Sequence, residues 1–354
     1  MKKYTAMLAV SLMALSLAGC RSAAGNTVGA AGNTVGAAGN TVGAVDNAVE
    51  ASESSKTETI RIPSLNGNRE MTEVEVPYDP ERIAVLDMPA LDIIDALGLG
   101  ERIVGSAKVT IEYLTQYNPE DSEGSIANLG TVKTADLEQV AISEPDVIFI
   151  GGRLSSSYDA LSEIAPVVYL GVDYEKGVVE STKENVKTIA SMFGKEAETD
   201  AMMEEVQTRI DALKPVIEDQ KILLSMYNNN ALSILDTESQ LSILAKELGG
   251  SSLGETIGEA EKATHGEDAS WETIVSLDPD YLFVLDRSTA TGEAGEGIHG
   301  AREVIENDLI KELDVYKNGN IVYFIEHANV WYTSIGGIQA LHTMLADLEE
   351  AFLQ

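Results

Sequence analysis

The chain of 354 residues has only one cysteine, Cys20. It therefore cannot form an internal disulfide, and its stability has to come from burial of apolar side chains. After the first twenty residues, no apolar run is long enough to cross a bilayer.

Basic residues are also scarce, with 24 Lys and Arg against 58 Asp and Glu and a formal net charge of −34. This balance excludes nucleic acid as a partner. Salt screens the long-range field within about 8 Å, so a local group of cations still governs the charge of a cleft. The positions of the few arginines and lysines are therefore informative.

The common catalytic motifs are missing. The sequence contains neither the G-x-S-x-G motif of serine hydrolases nor the H-E-x-x-H motif of metalloproteases. The first predicted strand leads into Asp87-Met88-Pro89 without a glycine-rich turn, which argues against a dinucleotide-binding enzyme. Ser155 to Ser157 are interpreted as helix-capping or ligand-contacting residues. We expect no enzyme, although a hydrolase is the main alternative from a different functional class.

Residues 1–19 have the pattern of a signal peptide. Lys2 and Lys3 precede an apolar stretch that is too short for a membrane span. The stretch ends in Leu-Ala-Gly-Cys, which is similar to a bacterial lipobox, so Cys20 is expected to be the lipidated amino terminus. The protein would then be anchored at the extracytoplasmic face of the cell membrane. The alternative is an ordinary secretory signal with a chance cysteine.

Residues 20–56 follow as a low-complexity segment. The heptapeptide GNTVGAA occurs at 25–31 and 32–38 and again, truncated, at 39–44. Such a composition cannot bury a core and is typical of a flexible tether.

Two segments of the remaining chain are copies of one unit. Residues 137–153 (LEQVAISEPDVIFIGGR) and 271–287 (WETIVSLDPDYLFVLDR) align without a gap, and both end in an arginine. Each copy predicts a short helix, a turn and a buried parallel strand, so the arginines follow the carboxyl ends of two strands. Ligands of open α/β sheets bind at that edge. Arg153 and Arg287 are therefore predicted to converge on an anionic ligand; the alternative is a coincidence plus two surface arginines.

Alternating strand and helix patterns predict an α/β fold with two doubly wound lobes. The first lobe covers 57–177, a wholly helical connection 178–214, and the second lobe 215–354. The helical connection would limit hinge motion between the lobes.

Several motifs in this order resemble one family. They are the lipobox, PYDPERIAVLDMPALDIIDALGLG, NLGTVKTADLEQVAISEPDVIFIGGR, the long helical connection, THG and WYT. Together they resemble the solute-binding lipoproteins of iron-siderophore ABC importers, and the likeness is strongest to the branch that binds catecholate siderophores. The resemblance implies a class III solute-binding fold with a shallow cleft between two lobes.

The resemblance also implies ligand-binding residues. Arg153 and Arg287 match two ligand-binding arginines of the family, and Lys108 matches a lysine at the cleft edge. Gln240 stands where a third arginine is expected, which argues against a highly anionic hexadentate ligand. Trp331 is expected beside the ligand.

His265 and Tyr332 are the expected direct ligands of Fe(III). In relatives, a histidine and a tyrosine at these positions fill the two iron sites that a tetradentate siderophore leaves open, and phenolate is a hard oxygen donor for Fe(III). Alternatively, His265 is an ordinary loop histidine and Tyr332 a rim aromatic.

The function implied is capture of a ferric siderophore for an ABC importer permease, by a monomer with no intrinsic cofactor. Within the same fold, haem or cobalamin is the alternative ligand.

Overall fold

The structure is a computed structural model, and it describes residues 58–121, 124–256, 270–292 and 297–353. Within these ranges, no helix combines the length and the apolar composition that crossing a membrane requires. The strands are β1 Thr59–Leu65, β2 Met71–Pro77, β3 Ile83–Leu86, β4 Ile103–Ser106, β5 Ala127–Asn128, β6 Gly130–Thr131, β7 Thr134–Ala135, β8 Val147–Ile150, β9 Val167–Tyr169, β10 Lys221–Asn228, β11 Ala231–Ile234, β12 Ser251–Ser252, β13 Tyr281–Asp286 and β14 Ile321–Phe324.

Helices alternate with these strands along most of the chain. They are α1 Met88–Ala96, α2 Leu137–Ile142, α3 Tyr158–Ser162, α4 Val178–Ser191, α5 Glu196–Ile217, α6 Ile243–Lys246, α7 Trp271–Leu277, α8 Arg287–Thr291, α9 Ala301–Ile305, α10 Asp314–Lys317, α11 Ala328–Thr333 and α12 Ile338–Leu353.

The first sheet has the strand order β5-β4-β3-β8-β9, and all of its pairs are parallel. Its central strands β3 and β8 are buried along their whole length. Because parallel sheets are covered on both faces, such strands are apolar throughout. The carboxyl ends of β3 and β8 therefore open side by side at one edge of the sheet.

The second sheet has the order β11-β10-β13-β14, with β12 paired to the start of β10. The β10–β13 and β13–β14 pairs are parallel, whereas β10 and β11 form an antiparallel hairpin. Asn229 and Asn230 both have positive φ at the hairpin turn, a conformation that asparagine tolerates. The predicted fold class, two α/β sheets joined by helices, is confirmed.

An antiparallel hairpin, β1–β2, precedes the first sheet, and the sequence analysis assigned no strand there. It is tied to β9 by Ser64, whose hydroxyl accepts a hydrogen bond from the Tyr169 backbone N–H at 2.9 Å. Pro63 lies within β1 and is tolerated because a two-stranded ribbon has no central strand.

The helical connection consists of two helices, α4 and α5, rather than one uninterrupted helix. Gly194 has a φ of 64° between them, and this left-handed residue ends the first helix. Beyond this break, α5 packs against α4.

The closing helix α12, which the sequence assigns to the second lobe, packs against α1, α4, α5 and α11, and its Phe352 ring lies against Tyr281 and Phe283 of β13. Asp92 of α1 is fully buried and accepts hydrogen bonds from the backbone N–H groups of Gln339 and Ala340 at 2.8 and 2.9 Å. A carboxylate near a helix N-terminus also stabilises the helix dipole. This contact fixes the start of α12 and the segment that leads into it.

Candidate functional site

The two repeated arginines occupy equivalent places in the two sheets. Arg153 lies in the helical turn Gly152–Ser157 that follows β8, and Arg287 is the first residue of α8 after β13. The Asp286 side chain caps α8 by accepting from the Thr289 N–H at 3.0 Å. Because the turn and the cap are fixed, both guanidinium groups project from the carboxyl ends of their strands.

Tyr332 of α11 brings the two arginines together. Its hydroxyl oxygen accepts a hydrogen bond from Arg287 Nε at 2.9 Å and another from Arg153 Nη2 at 3.3 Å. Both guanidinium carbons also lie over the phenol ring, at 5.6 Å from its centroid for Arg153 and 5.5 Å for Arg287. One aromatic side chain thus separates two cations that would otherwise repel each other.

This arrangement changes the acidity of the phenol. Burial alone would raise the pKa of Tyr332, but the hydrogen bonds and charges of Arg287 and then Arg153 outweigh it, so the pKa is lowered. A phenol with a lowered pKa gives up its proton more readily to become an anionic oxygen ligand for a hard cation.

Asn228 holds Arg287 from the other side. The last residue of β10, it accepts a hydrogen bond from Arg287 Nη1 at 2.8 Å. Asn228 is not among the site residues predicted from the sequence. The rule that identified the arginines, a polar residue at the carboxyl end of a strand, would also have found it.

Asp87, at the edge of the first sheet, is a second residue of the site that is not predicted from the sequence. It follows β3 and lines a solvent-open depression together with Met88, Val132, Gly151, Gly152, Arg153, Tyr332 and Thr333. Burial raises the pKa of Asp87 to about 7. A carboxyl group and a cation thus line the same depression.

In the part of the chain that the structure describes, neither Lys108 nor Gln240 contacts Arg153, Arg287 or Tyr332. Lys108 follows β4, is exposed, and forms an ion pair with Glu120 at 3.6 Å. Gln240 is half-buried in the turn before α6. Their roles at the cleft stay predictions.

Trp331 does not face the cleft, and the prediction that it contacts the ligand is wrong. Its side chain is fully buried and stacks on Phe324 with ring centroids 4.0 Å apart. Its indole N–H donates to Asp347 at 2.8 Å. Successive residues of a helix point about 100° apart, so when α11 turns Tyr332 toward the arginines it turns Trp331 into the core.

His265 and Cys20 lie outside the described residues, so their proposed roles stay predictions. The other three histidines have protein partners: His299 pairs with Glu303, His327 with Asp347, and His342 with Arg209. In the part of the chain that the structure describes, no group of three or more His, Cys, Asp and Glu side chains is placed to hold a metal ion.

Comparison with known proteins agrees with the fold. The sequence profile of the periplasmic binding protein family (Peripla_BP_2) matches residues 83–327. The chain belongs to this family. Its petrobactin-binding relative YclQ of Bacillus subtilis is 32% identical over 278 residues, which cover 78% of this chain and 84% of the relative. The crystal structure of YclQ superimposes with a TM-score of 0.72 and covers 83% of this chain and 98% of that one.

Other members of the family are similar to a lesser degree. The catecholate-siderophore binding protein VctP of Vibrio cholerae is 29% identical with a TM-score of 0.71, covering 83% of this chain and all of that one (100%). The ferric-anguibactin-binding protein FatB of Vibrio anguillarum is 26% identical, over 77% of this chain and 83% of the relative. The relatives are thus named for binding siderophores.

Proposed function

We propose that this protein is the extracytoplasmic solute-binding component of an ABC importer, and that it captures a ferric siderophore of the catecholate type. The cluster formed by Arg153, Arg287 and Tyr332 is the observation that carries this proposal. It places two cations and an acidified phenol at the edge where the ligand cleft of the family is expected.

Charge supports an anionic ligand. The negative charges of the dianionic catecholates exceed the positive charge of Fe(III), so the complex is an anion. The guanidinium groups of Arg153 and Arg287 supply positive charge at the site. A contact between unit charges at about 4 Å is worth roughly 4 kcal/mol at an effective dielectric of about 20, before desolvation is subtracted. Guanidinium also stacks on aromatic rings, which suits catechol better than an ammonium group does.

The phenol supports direct contact with the iron cargo. In the described structure the Tyr332 oxygen is the shared acceptor of both arginines. A ferric complex with open coordination sites would take this oxygen as a ligand while its own catecholate oxygens take over the guanidinium hydrogen bonds. The arginines thus lose no hydrogen-bonding partner when the ligand arrives.

Haem and cobalamin remain the alternative ligands of the same fold. Both need a broad apolar slot, whereas the depression beside Tyr332 is lined by Asp87 and Arg153 together with two glycines. The polar lining favours a small chelated ion over a macrocycle.

The remaining parts of the proposal concern location and partners. The expected lipid on Cys20 and the tether to residue 56 would hold a monomer near the membrane, where a permease accepts the loaded complex. Labelling with a radioactive fatty acid, with Cys20→Ser as the control, tests the anchor.

The experiment that tests the function is a ligand panel. Ferric bis- and tris-catecholates, ferric hydroxamates, haem and cobalamin are each titrated into the purified chain, and the tryptophan fluorescence is followed. We expect saturable quenching by ferric catecholates, because these complexes absorb visible light and the buried Trp331 precedes Tyr332 in α11. Saturable binding of haem alone, with none by any ferric siderophore, would contradict the proposal.

A further inference from the structure

Capping of helix α1 accounts for only one of the two carboxyl oxygens of Asp87. One carboxyl oxygen, Oδ2, accepts from the Ala90 N–H at 3.1 Å and caps α1. The other oxygen, Oδ1, faces Gly151, where an added Cβ would collide with it. No described residue donates a hydrogen bond to Oδ1.

The cation that lines the depression does not pair with this carboxyl group. Arg153 lines the same depression, yet it donates to Tyr332 rather than to Asp87. Among the described residues, neither a hydrogen bond nor an ion pair joins Asp87 to Arg153 or Tyr332. Oδ1 is therefore free to meet a ligand that enters the depression.

In the second sheet, the residue that corresponds to Asp87 is a neutral amide. There Arg287 is held by the amide oxygen of Asn228, which ends the strand beside β13. In the first sheet the strand beside β8 is followed by Asp87 instead. A protonated carboxyl group resembles an amide, since both are neutral and both offer a donor and an acceptor.

The surroundings of Asp87 favour its neutral form. Burial raises its pKa to about 7. Four other titratable or charged groups surround it: Tyr169, Arg69, Arg153 and Tyr332. The pKa of Tyr169 of β9 is raised mainly by burial and in part by Asp87. Arg69 of the β1–β2 hairpin donates a hydrogen bond to the Gly152 carbonyl oxygen. On the α4 side the adjoining cavity is lined by the neutral Asn185.

We propose that Asp87 is a ligand-contacting residue of this site: in its protonated form it donates a hydrogen bond from Oδ1 to an anionic oxygen of the bound complex, so a chain in which Asp87 is ionised takes up one proton on binding. The inference rests on the proposed function and adds a requirement to it. An ionised Asp87 would repel the anion, so affinity falls as pH rises above the range in which Asp87 loses its proton.

The test compares the full chain with its Asp87→Asn variant, using the ferric complex of a synthetic tetradentate bis-catecholate between pH 6 and 8.5. Asparagine still caps a helix, stays neutral and keeps a donor. We expect similar affinities near pH 6 and a variant that binds more than about tenfold more tightly at pH 8.5. Protonation of the ligand and of Tyr332 is common to both proteins and cancels in the ratio.

Two further variants separate the possible causes. Asp136→Asn alters another aspartate that caps a helix, through the Gln139 N–H at 3.1 Å, and should keep the wild-type pH profile. Asp87→Ser keeps a capping oxygen but lacks the reach to the ligand, so near pH 6 it should bind more weakly than Asp87→Asn. If Asp87→Ser and Asp87→Asn bound the ferric complex equally well near pH 6, the proposed hydrogen bond from residue 87 would be contradicted.

Calorimetry in two buffers with different ionisation enthalpies measures the proton directly. At pH 7.5 the wild type should take up more protons on binding than Asp87→Asn. Tight binding with the same pH profile and proton uptake in both proteins would overturn the inference and leave the proposed function standing. Absence of ferric catecholate binding at every pH would overturn both.

Discussion

Arg153 Nη2 lies 3.3 Å from the hydroxyl oxygen of Tyr332, so an arginine that follows a strand of the first sheet meets an aromatic residue that follows the last strand of the second. Arg287 reaches the same oxygen at 2.9 Å. One phenol oxygen is therefore the acceptor that both arginines share, and an anionic ligand that binds the guanidinium groups has to take its place as acceptor.

Removing either arginine should weaken ligand binding without unfolding the protein. Arg153→Ala and Arg287→Ala each delete a charge-assisted contact, and we expect affinity for a ferric catecholate to fall more than tenfold. Melting temperatures should change little, because cleft residues contribute little to folding. Arg61→Ala, at an exposed arginine of the β1–β2 hairpin, is the matched control and should leave affinity unchanged. A large drop in melting temperature with intact affinity would mark the arginine as structural.

The acidity of Tyr332 should depend on both arginines. Because their hydrogen bonds and charges lower its pKa, each Arg→Ala variant should raise that pKa, and Arg287→Ala should raise it more than Arg153→Ala. Ultraviolet absorbance titration of tyrosinate, with Tyr332→Phe subtracted, measures the shift. Identical titration curves in the wild type, Arg153→Ala and Arg287→Ala would show that the two arginines do not change the pKa of the phenol.

Tyr332→Phe should discriminate between classes of ferric siderophore. A hexadentate ligand satisfies all positions of the iron, whereas a tetradentate ligand leaves two open for protein oxygen and nitrogen. We therefore expect the variant to lose far more affinity for the tetradentate complex and to lose the tyrosinate contribution to its visible band. Substitution of His265 by alanine is expected to show the same selectivity. Equal losses for both classes would mean that Tyr332 only lines the cleft.

Asp92 should make stability depend on pH. Burial raises its pKa from 3.8 to about 6, against the opposing effect of hydrogen bonds from Tyr113, Gln339 and Ala340. The folded state thus holds this proton more tightly than the unfolded chain, and the stabilisation present below pH 4 is lost as pH rises through 6. The expected loss is on the order of 3 kcal/mol. Urea unfolding should show this decline in the wild type, and a smaller one in Asp92→Asn; parallel curves would contradict the assignment.

Much of the fold could be predicted because its signals are local. The repeated helix–turn–strand units appear in the structure as α2–β8 and α7–β13, since each combines a buried apolar strand with a turn. The position of Arg153 and Arg287 followed from the rule that polar residues after parallel strands share one edge.

What could not be predicted depends on contacts between distant parts of the chain. The burial of Trp331 follows from the rotation of a short helix relative to the core. The packing of α12 on α1 depends on Asp92, which lies 247 residues before its partner Gln339. Neither the periodicity of α12 nor its composition specifies that partner. The Asp87 carboxyl looks like an ordinary helix cap in the sequence, and only the structure places it beside Arg153.

The most direct test of the account is a crystal structure of the protein with a ferric bis-catecholate bound. We predict that the complex lies between Arg153 and Arg287, that its catecholate oxygens accept the guanidinium hydrogen bonds, and that the Tyr332 oxygen has moved from the arginines to the iron. A complex bound elsewhere, with both arginines still on Tyr332, would contradict it.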